Sequence, residues 1–285
     1  MPRLNVMVTT NQDGTELRRL QLVQLEMLKV VDQFCEDHNI KYSLYAGTLL
    51  GAVRHKGFIP WDDDIDLCME RGEYDRFIKA WIQDGPEGYL IQNKDIEPAY
   101  VQSFAKIRKD HSTFLQDESE RGRWHTGIFI DIFPIDRVPK NRLKQKLFYL
   151  NALLYQLYTR EFVPPLSGGV TAFITKTLLE LTAKNKIRTK LRKIHYRKLT
   201  SYNEKRSFPM IGTEIQSTLK QILPHDMMDD YIKLDFEDGQ FSCMKGYEEY
   251  LTIKFGDYNK LPPEEERTWR HHPIILDFEH NLNEI

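Results

Sequence analysis

Two aspartates separated by one residue, Asp64 and Asp66, carry the clearest chemical pattern in this chain. They open a stretch that alternates polar and apolar residues and then becomes wholly apolar, which is typical of a buried β-strand. Side chains two positions apart on a strand share a face, so both carboxylates can reach one cation from the same side. Mg²⁺ and Mn²⁺ prefer such oxygen ligands. The pattern therefore predicts a site for one of these metals, and a solvated acidic loop is the alternative.

A glycine turn, Gly47-Thr48, lies upstream of the aspartates. Residues 42–46 before it have the pattern of a short strand, and residues 49–55 after it have the pattern of a helix. A strand, a glycine turn and a helix start together present backbone N–H groups and the positive end of a helix dipole to an anion. We expect this turn to bind a phosphate, although glycine after a strand often marks only a turn.

Asp131 is the candidate for a third carboxylate. It lies within residues 127–133, a run of mainly large apolar side chains, where a single charge is costly unless it is paired or bound to a metal. We expect Pro134 to end this strand and Asp136 to cap the turn that follows. The alternative for Asp131 is a capping role of the same kind.

Four basic residues are candidates for phosphate binding. Arg54 and His55 follow the glycine turn, and Lys106 and Arg108 share one face of a strand predicted within residues 101–108. An arginine can bind a phosphate with two parallel hydrogen bonds, which a lysine cannot. For each of the four residues, simple exposure to solvent is the alternative.

These motifs together resemble a known family. The run from Tyr45 to Leu67 contains Leu-Leu-Gly-Ala-Val-Arg-His-Lys-Gly-Phe-Ile-Pro-Trp-Asp-Asp-Asp-Ile-Asp and resembles the hallmark of LicD-type phosphocholine transferases, a group that includes the fukutin-related sugar-phosphate transferases. The segment that starts at Asp131 is similar to the second block of the family, and residues 255–264 are similar to its C-terminal block. Residues 137–240 carry no motif that we can match.

The resemblance implies a nucleotidyltransferase-like domain that moves phosphocholine from CDP-choline to a sugar hydroxyl of a cell-surface glycan, such as teichoic acid or lipopolysaccharide. It implies that Asp64, Asp66 and Asp131 hold Mg²⁺ or Mn²⁺ and carry the catalysis. In this scheme Asp131 helps to take the proton of the sugar hydroxyl, and Gly47-Thr48 binds the pyrophosphate of the donor.

Aromatic and C-terminal residues complete the predicted site. A quaternary ammonium such as choline is best held against aromatic faces, and Trp61 and Trp124 are the candidates, although either can instead belong to the core. In the family resemblance the C-terminal segment closes over the nucleotide region. That arrangement makes Tyr258, and either His271 or His272, pocket residues.

Three other functions stay open from the sequence. The cargo can be phosphoethanolamine or phosphoribitol, because the shared motif binds diphosphate and metal rather than the head group. A nucleotidyltransferase that uses an NTP on RNA or on a small molecule is the second alternative, but the chain lacks a recognisable RNA-binding module, and we expect no nucleic-acid partner. A non-catalytic binding protein of the same fold is the third, and the complete set of aspartates argues against it.

The composition is that of a globular enzyme. The chain has 285 residues, of which 41% are hydrophobic and 29% are charged, so it can bury a core of normal size. Its three cysteines are widely spaced and lack a metal or disulfide pattern. Residues 1–10 lack the apolar centre of a signal peptide, and no apolar run has the length of a membrane span. We predict a cytoplasmic protein, with the inner face of the membrane as a second location.

The predicted fold class is α+β, with a nucleotidyltransferase-like small mixed sheet and flanking helices, a basic helical region and a short C-terminal α/β tail. We predict the catalytic core over residues 1–136 and the basic helical region over residues 137–210. Residues 211–285 would form a C-terminal segment that packs back on the core.

The charge is divided unevenly along the chain. Residues 137–206 hold 17 Lys+Arg and 3 Asp+Glu, whereas the remainder holds 23 and 39, for a net charge of −2. A basic helical face can contact an anionic membrane, a lipid pyrophosphate or the phosphates of an acceptor. Alternatively, these residues only solvate helices and offset the acidic remainder. A helix is predicted here by leucines at spacings of three and four, which are Leu143, Leu147, Leu150, Leu154 and Leu157.

Overall fold

The structure is a computed structural model that describes residues 14–162, 169–182, 185–212 and 221–285. Residues 1–10, for which we expect no signal peptide, lie outside this part. The described helices are α1 (Gly14–Asp37), α2 (Ala46–His55), α3 (Arg71–Asp84), α4 (Arg142–Arg160), α5 (Gly169–Leu181), α6 (Asn185–Thr200) and α7 (Tyr247–Phe255). The described strands are β1 (Ser43–Leu44), β2 (Asp66–Glu70), β3 (Tyr89–Gln92), β4 (Ala105–Lys109), β5 (Thr113–Leu115), β6 (Phe129–Arg137), β7 (Met210–Gly212), β8 (Tyr231–Phe236), β9 (Gly239–Met244) and β10 (Ile275–Asp277). The predicted α+β class is confirmed.

A mixed sheet at the centre brings the predicted site residues side by side. Its strand order is β1-β2-β6-β4-β3, and β7 pairs with β6 beyond this path. Strands β2 and β6 are parallel, and this register sets Asp66 opposite Asp131. Strand β4 is antiparallel to β6 and sets Lys106 opposite Asp131 from the other side. Three charged residues that are distant in sequence therefore share one row of the sheet.

Strand β6 does not end at Pro134, so this prediction is wrong. The strand is buried along its whole length and continues to Arg137. Proline lacks an N–H group for the ladder, but β2 pairs alongside it and β7 pairs with the last three residues. Asp136 consequently caps no turn. Its buried carboxylate accepts hydrogen bonds from Arg71 Nε at 2.8 Å, from Arg71 Nη2 at 2.7 Å and from Asn203 Nδ2 at 2.8 Å.

Helix α1 packs on the sheet and also holds the acidic segment in place. Two glutamines on its buried side, Gln21 and Gln24, reach the backbone of that segment. Gln21 Nε2 donates to the carbonyl of Asp62 at 2.9 Å, and Gln24 Nε2 donates to the carbonyl of Asp63 at 3.0 Å. Buried N–H groups of side-chain amides usually have hydrogen-bond partners. These two bonds hold the backbone of the acidic segment against α1.

The basic region has a small core of its own. The described part of the predicted basic helical region contains α4, α5 and α6, and α4 packs against α6. Within the described residues, no helix combines the length and the apolar character of a membrane span.

The division of the chain into three regions at residues 136 and 210 stays a prediction. The buried hydrophobic residues of the small core are Val138, Phe148, Ala152, Tyr155, Leu199 and Ile211.

The C-terminal segment packs back on the central sheet. Strands β8 and β9 form a hairpin, whose turn includes Glu237 in the left-handed region at φ 56°. Ser242 Oγ donates to the carbonyl of Tyr42 at 2.7 Å, and the Met244 N–H donates to Ser43 Oγ at 2.9 Å. These bonds fix the hairpin beside β1, and α7 follows directly after it.

Candidate active site

The acidic segment enters the sheet later than predicted. Strand β2 starts at Asp66, and Asp64 lies two residues earlier, in the adjoining loop. The loop is held from both sides, because the Asp62 N–H donates to the carbonyl of Ile59 at 2.9 Å and the Asp131 N–H donates to the carbonyl of Ile65 at 2.9 Å. These bonds hold Asp64 at the edge of the sheet.

Like charges converge at this edge. Burial and the charges of Asp64 and Asp131 raise the pKa of Asp66 well above its usual range. Burial also raises the pKa of Asp64 to about 6, with Asp131 adding to this and His271 opposing it. The pKa of Asp62 is raised well above its usual range by burial and by the charge of Asp64. An added cation would relieve this repulsion.

Two lysines neutralise part of the cluster. Lys106 Nζ lies 2.5 Å from Asp131 Oδ1. Lys254, on α7, lowers the pKa of Asp66 through its charge, but burial and the neighbouring carboxylates outweigh it. The donors that remain are carboxylate oxygens, which are the ligands of hard divalent cations. The residues present at this edge therefore fit Mg²⁺ or Mn²⁺.

Asp63, in the same acidic segment, is hydrogen-bonded to His271. One oxygen each of Asp62, Asp63 and Asp64 lie within 4.8 Å of one another. However, the fully buried Asp63 carboxylate accepts hydrogen bonds from the His271 N–H at 2.9 Å and from His271 Nδ1 at 3.0 Å. His271 Nδ1 also lies 3.7 Å from Asp64 Oδ2. His271, one of the two histidines predicted as pocket residues, thus contacts the acidic segment and binds the Asp63 carboxylate.

The Asp63–His271 pair should make stability depend on pH. Burial raises the pKa of Asp63, but the hydrogen bonds and charge of His271 outweigh it and leave the value below 3.8. Burial lowers the pKa of His271, but its bond to Asp63 and the nearby acidic charges outweigh it and leave the value above 6.5. The contribution of Asp63 is lost as pH falls through its lowered pKa, and that of His271 is lost as pH rises through its raised pKa. The pair is therefore strongest between those two values.

We expect His271→Asn to lower the melting temperature most near pH 6 and least near pH 9, because neutral His271 no longer attracts Asp63. Thermal unfolding in metal-free buffer at several pH values measures this. His280→Asn is a matched control, since His280 pairs with Asp277 at 3.1 Å in a more exposed position. An equal loss for His271→Asn at both pH values would contradict the pKa shifts.

The start of α2 lies against the acidic residues. Gly47 and Thr48 belong to the first turn of the helix rather than to a turn before it, and Tyr45 provides no side-chain cap. The first N–H groups of a helix have no partner within it and suit an anion. A Cβ atom on Gly47 would lie 2.7 Å from Asp62 Oδ2, so a side chain at this position would displace the Asp62 carboxylate. Thr48 Oγ1 accepts a hydrogen bond from the Asp66 N–H at 2.8 Å, which ties α2 to β2.

Four more of the predicted substrate-binding residues lie near the C-terminal end of α2. Arg54 Nη1 donates to the carbonyl of Tyr258 at 2.8 Å. The rings of His55 and Trp61 meet edge to face with centroids 6.4 Å apart, and Arg267 lies 5.5 Å from the centroid of Trp61. A helix rises about 1.5 Å per residue, so the backbone of Arg54 and His55 is on the order of 10 Å from the helix start. Arg54, His55, Trp61 and Tyr258 thus lie together near the C-terminal end of α2, and Trp61 directly precedes Asp62 in the chain.

Lys106 and Arg108 share a face, as predicted, and both lie over the ring of Phe129. Lys106 Nζ is 3.3 Å and Arg108 Cζ is 4.9 Å from its centroid. Arg108 Nε donates to Gln92 Oε1 at 2.9 Å, and its Nη1 donates to the carbonyl of Gly127 at 2.7 Å. The buried guanidinium of Arg108 therefore has structural partners, whereas Lys106 reaches the carboxylate cluster.

The two candidate tryptophans each carry a guanidinium group over the ring. Trp124 has Arg123 at 4.7 Å from its centroid and meets Tyr100 edge to face at 6.2 Å. Trp61 has Arg267 at 5.5 Å. Each ring already attracts a cation, which is the physical property that a quaternary ammonium would use. The described structure does not bring the two tryptophans into one cage.

Two residues near the carboxylate cluster, Asp62 and Lys254, were not predicted from the sequence. Asp62 lay in the visible acidic run, and treating the whole run as candidate ligands would have included it. Lys254 had no local pattern. Its Nζ lies 4.7 Å from the ring centroid of Tyr45 only because α7 packs beside α2.

Comparison with known proteins gives a consistent result. The family model described as the LicD/FKTN/FKRP nucleotidyltransferase domain matches residues 39–172. The lipopolysaccharide cholinephosphotransferase LicD of Haemophilus influenzae is 34% identical over 268 residues, which cover 90% of this chain and 96% of that protein. An uncharacterized protein of Rickettsia prowazekii is 50% identical over 145 residues, which cover 51% of this chain and 48% of that protein. Because the similarity to the Haemophilus protein extends over almost its full length, this chain belongs to the LicD family.

Proposed function

We propose that this protein transfers phosphocholine from CDP-choline to a sugar hydroxyl of a cell-surface glycan or its lipid-linked precursor, with Mg²⁺ or Mn²⁺ as cofactor. The similarity to a lipopolysaccharide cholinephosphotransferase over 96% of that protein carries the proposal. The converging carboxylates support it, because a diphosphate donor and its metal need such a site.

In this proposal Asp64, Asp66 and Asp131 hold the metal. A bound Mg²⁺ or Mn²⁺ would neutralise charge that develops on the pyrophosphate. The raised pKa values of Asp64 and Asp66 support this assignment, since both carboxylates are poorly compensated by the protein itself. Lys106 keeps one oxygen of Asp131 in a fixed orientation.

The residues of the chain act on the two reacting groups. The sugar oxygen forms a bond to the choline-bearing phosphorus, while the bond from that phosphorus to the bridging oxygen breaks and cytidylate leaves with the electron pair. The hydroxyl proton passes to the Asp131 carboxylate as general base. The N–H groups of Gly47 and Thr48 at the start of α2 orient the pyrophosphate by hydrogen bonding. Positioning of this kind accounts for most of the rate in phosphoryl transfer.

Ligand-dependent melting tests the donor and the metal together. A ligand that binds the native state raises its stability by mass action. We expect CDP-choline with Mn²⁺ to raise the melting temperature more than CDP-ethanolamine, CDP-ribitol, CTP or ATP with Mn²⁺. Release of cytidylate from CDP-choline should then require a glycan acceptor.

An Asp64→Asn, Asp66→Asn double variant serves as the matched control and should lose the metal-dependent shift. A larger shift with another CDP-alcohol would reassign the head group and keep the reaction class. A shift with CTP or ATP alone would instead favour nucleotidyl transfer and overturn the proposal. No metal-dependent shift with any of the five compounds would favour a non-catalytic binding protein.

A further inference from the structure

The leucine stripe of α4 faces away from the core. Leu143 is 71%, Leu147 59% and Leu150 50% exposed, although their spacing is that of a core-facing helix. The opposite side of α4 carries Phe148, Ala152 and Tyr155, and these are the residues buried in the small core. Helix α4 is thus apolar on two sides, and the packing of the described chain uses one of them.

Helix α5 extends this exposed surface. Phe173 is 71%, Ile174 52% and Leu181 76% exposed. A groove of about 310 Å³ runs between α4 and α5, and Leu150 and Ile174 both line it, so the two sets of side chains are continuous. We call the six residues the outer apolar face: Leu143, Leu147, Leu150, Phe173, Ile174 and Leu181.

The apolar exposure is concentrated here. Of the 18 exposed large hydrophobic residues in the described chain, 10 fall between residues 143 and 187. Singly exposed apolar residues are normal on a protein surface, whereas a contiguous patch marks a binding surface. This patch is distant in sequence from the acidic cluster and has no part in the transfer chemistry proposed above.

Basic side chains border the outer apolar face. Residues 138–160 contain no Asp or Glu. Lys140, Arg142, Lys144 and Lys146 are exposed and make no side-chain hydrogen bond or ion pair with other described residues. An apolar stripe flanked by lysine and arginine is the pattern of a helix that lies in a membrane interface. Each basic residue near an anionic surface adds attraction to it.

We propose that the outer apolar face docks this protein onto a lipid bilayer surface that carries anionic headgroups. Helix α4 would lie in the interface plane, with its leucines among the acyl chains and its basic residues at the headgroups. The charge distribution favours this partner over a second copy of the chain, because a symmetric dimer through this face would bring the same basic residues together. The inference does not rest on the proposed phosphocholine transfer.

Vesicle flotation of the full chain tests the proposal. We expect binding to vesicles of phosphatidylcholine mixed with phosphatidylglycerol and much weaker binding to phosphatidylcholine alone. Leu143→Ser, Leu147→Ser should weaken binding about tenfold or more, because two leucines no longer leave water. Lys144→Gln, Lys146→Gln should weaken binding to the anionic vesicles by a similar factor, and added salt should do the same to the wild type.

Leu22→Ser and Lys79→Gln are matched controls, since each changes an exposed residue of the same type on another helix and should leave binding unchanged. Thermal unfolding checks that the variants fold, and slower hydrogen exchange in α4 of the wild type on vesicles provides a readout without substitution. Wild-type protein that stays off anionic vesicles would overturn the proposal. So would a concentration-dependent dimer, seen by sedimentation velocity, that Leu143→Ser, Leu147→Ser dissociates without any effect on flotation.

Discussion

Asp66→Asn should lower the proposed phosphocholine transfer by about a hundredfold or more and should raise the melting temperature of the metal-free protein. The two effects have opposite signs because one carboxylate both binds the proposed metal and repels its neighbours. A residue with a purely structural role would lose activity and stability together. This variant therefore separates a functional aspartate from a structural one.

The increase in stability follows from the pKa of Asp66. Burial and the charges of Asp64 and Asp131 raise this pKa above the usual value of 3.8. As pH rises above that value, the unfolded chain releases the proton more readily than the folded chain, so stability falls. At neutral pH the raised pKa of Asp66 therefore opposes folding unless a cation is bound. Asparagine removes this charge with little change in shape.

Thermal unfolding with EDTA and with Mn²⁺, together with an assay of cytidylate release, measures both effects. Mn²⁺ should stabilise the wild type more than Asp66→Asn. Asp84→Asn is a suitable control, because Asp84 is exposed and pairs with His38 at 3.5 Å, and it should change neither property appreciably. A loss of stability in metal-free Asp66→Asn would refute the repulsion, and full activity would refute the assignment of Asp66.

Asp136→Asn should destabilise the protein by about 3–5 kcal/mol, because it leaves the charge of a buried Arg71 uncompensated. Both side chains are nearly inaccessible to solvent. Burial alone would lower the pKa of Arg71, but the charge and hydrogen bonds of Asp136 hold it well above its usual value. The Arg71 guanidinium also lies 5.2 Å from the ring centroid of Tyr196 on α6. The pair therefore links the sheet, α3 and the basic region.

Urea unfolding gives the size of this loss. The double variant Arg71→Met, Asp136→Leu should be more stable than Asp136→Asn, since apolar replacement of both partners removes the unpaired charge. Glu73→Ala is the surface control. It breaks the more exposed pair with Arg76 at 2.8 Å and should cost at most about 1 kcal/mol. If Asp136→Asn lowers the free energy of unfolding by less than about 1 kcal/mol, the Arg71 guanidinium must have found another partner.

Several candidate site residues could be recognised from local sequence patterns alone. Asp66 and Asp131 stand out because each interrupts an apolar strand pattern, and such patterns depend on neighbours a few residues away. Lys106 and Arg108 share a face for the same reason. The error over Pro134 arose because a local rule cannot include β2 and β7, which pair with β6 on either side of it.

Local periodicity by itself indicated where several of the strands and helices lie, and the run of aspartates by itself indicated the candidate site. The tertiary structure decided which carboxylates converge, that His271 engages Asp63, that Lys254 stands near Asp66, and which side of α4 is buried. Each of these depends on contacts between segments far apart in the chain. Hydrophobic periodicity shows that a helix face avoids water but not what covers it, because the free energy of burial depends on area rather than on the identity of the partner.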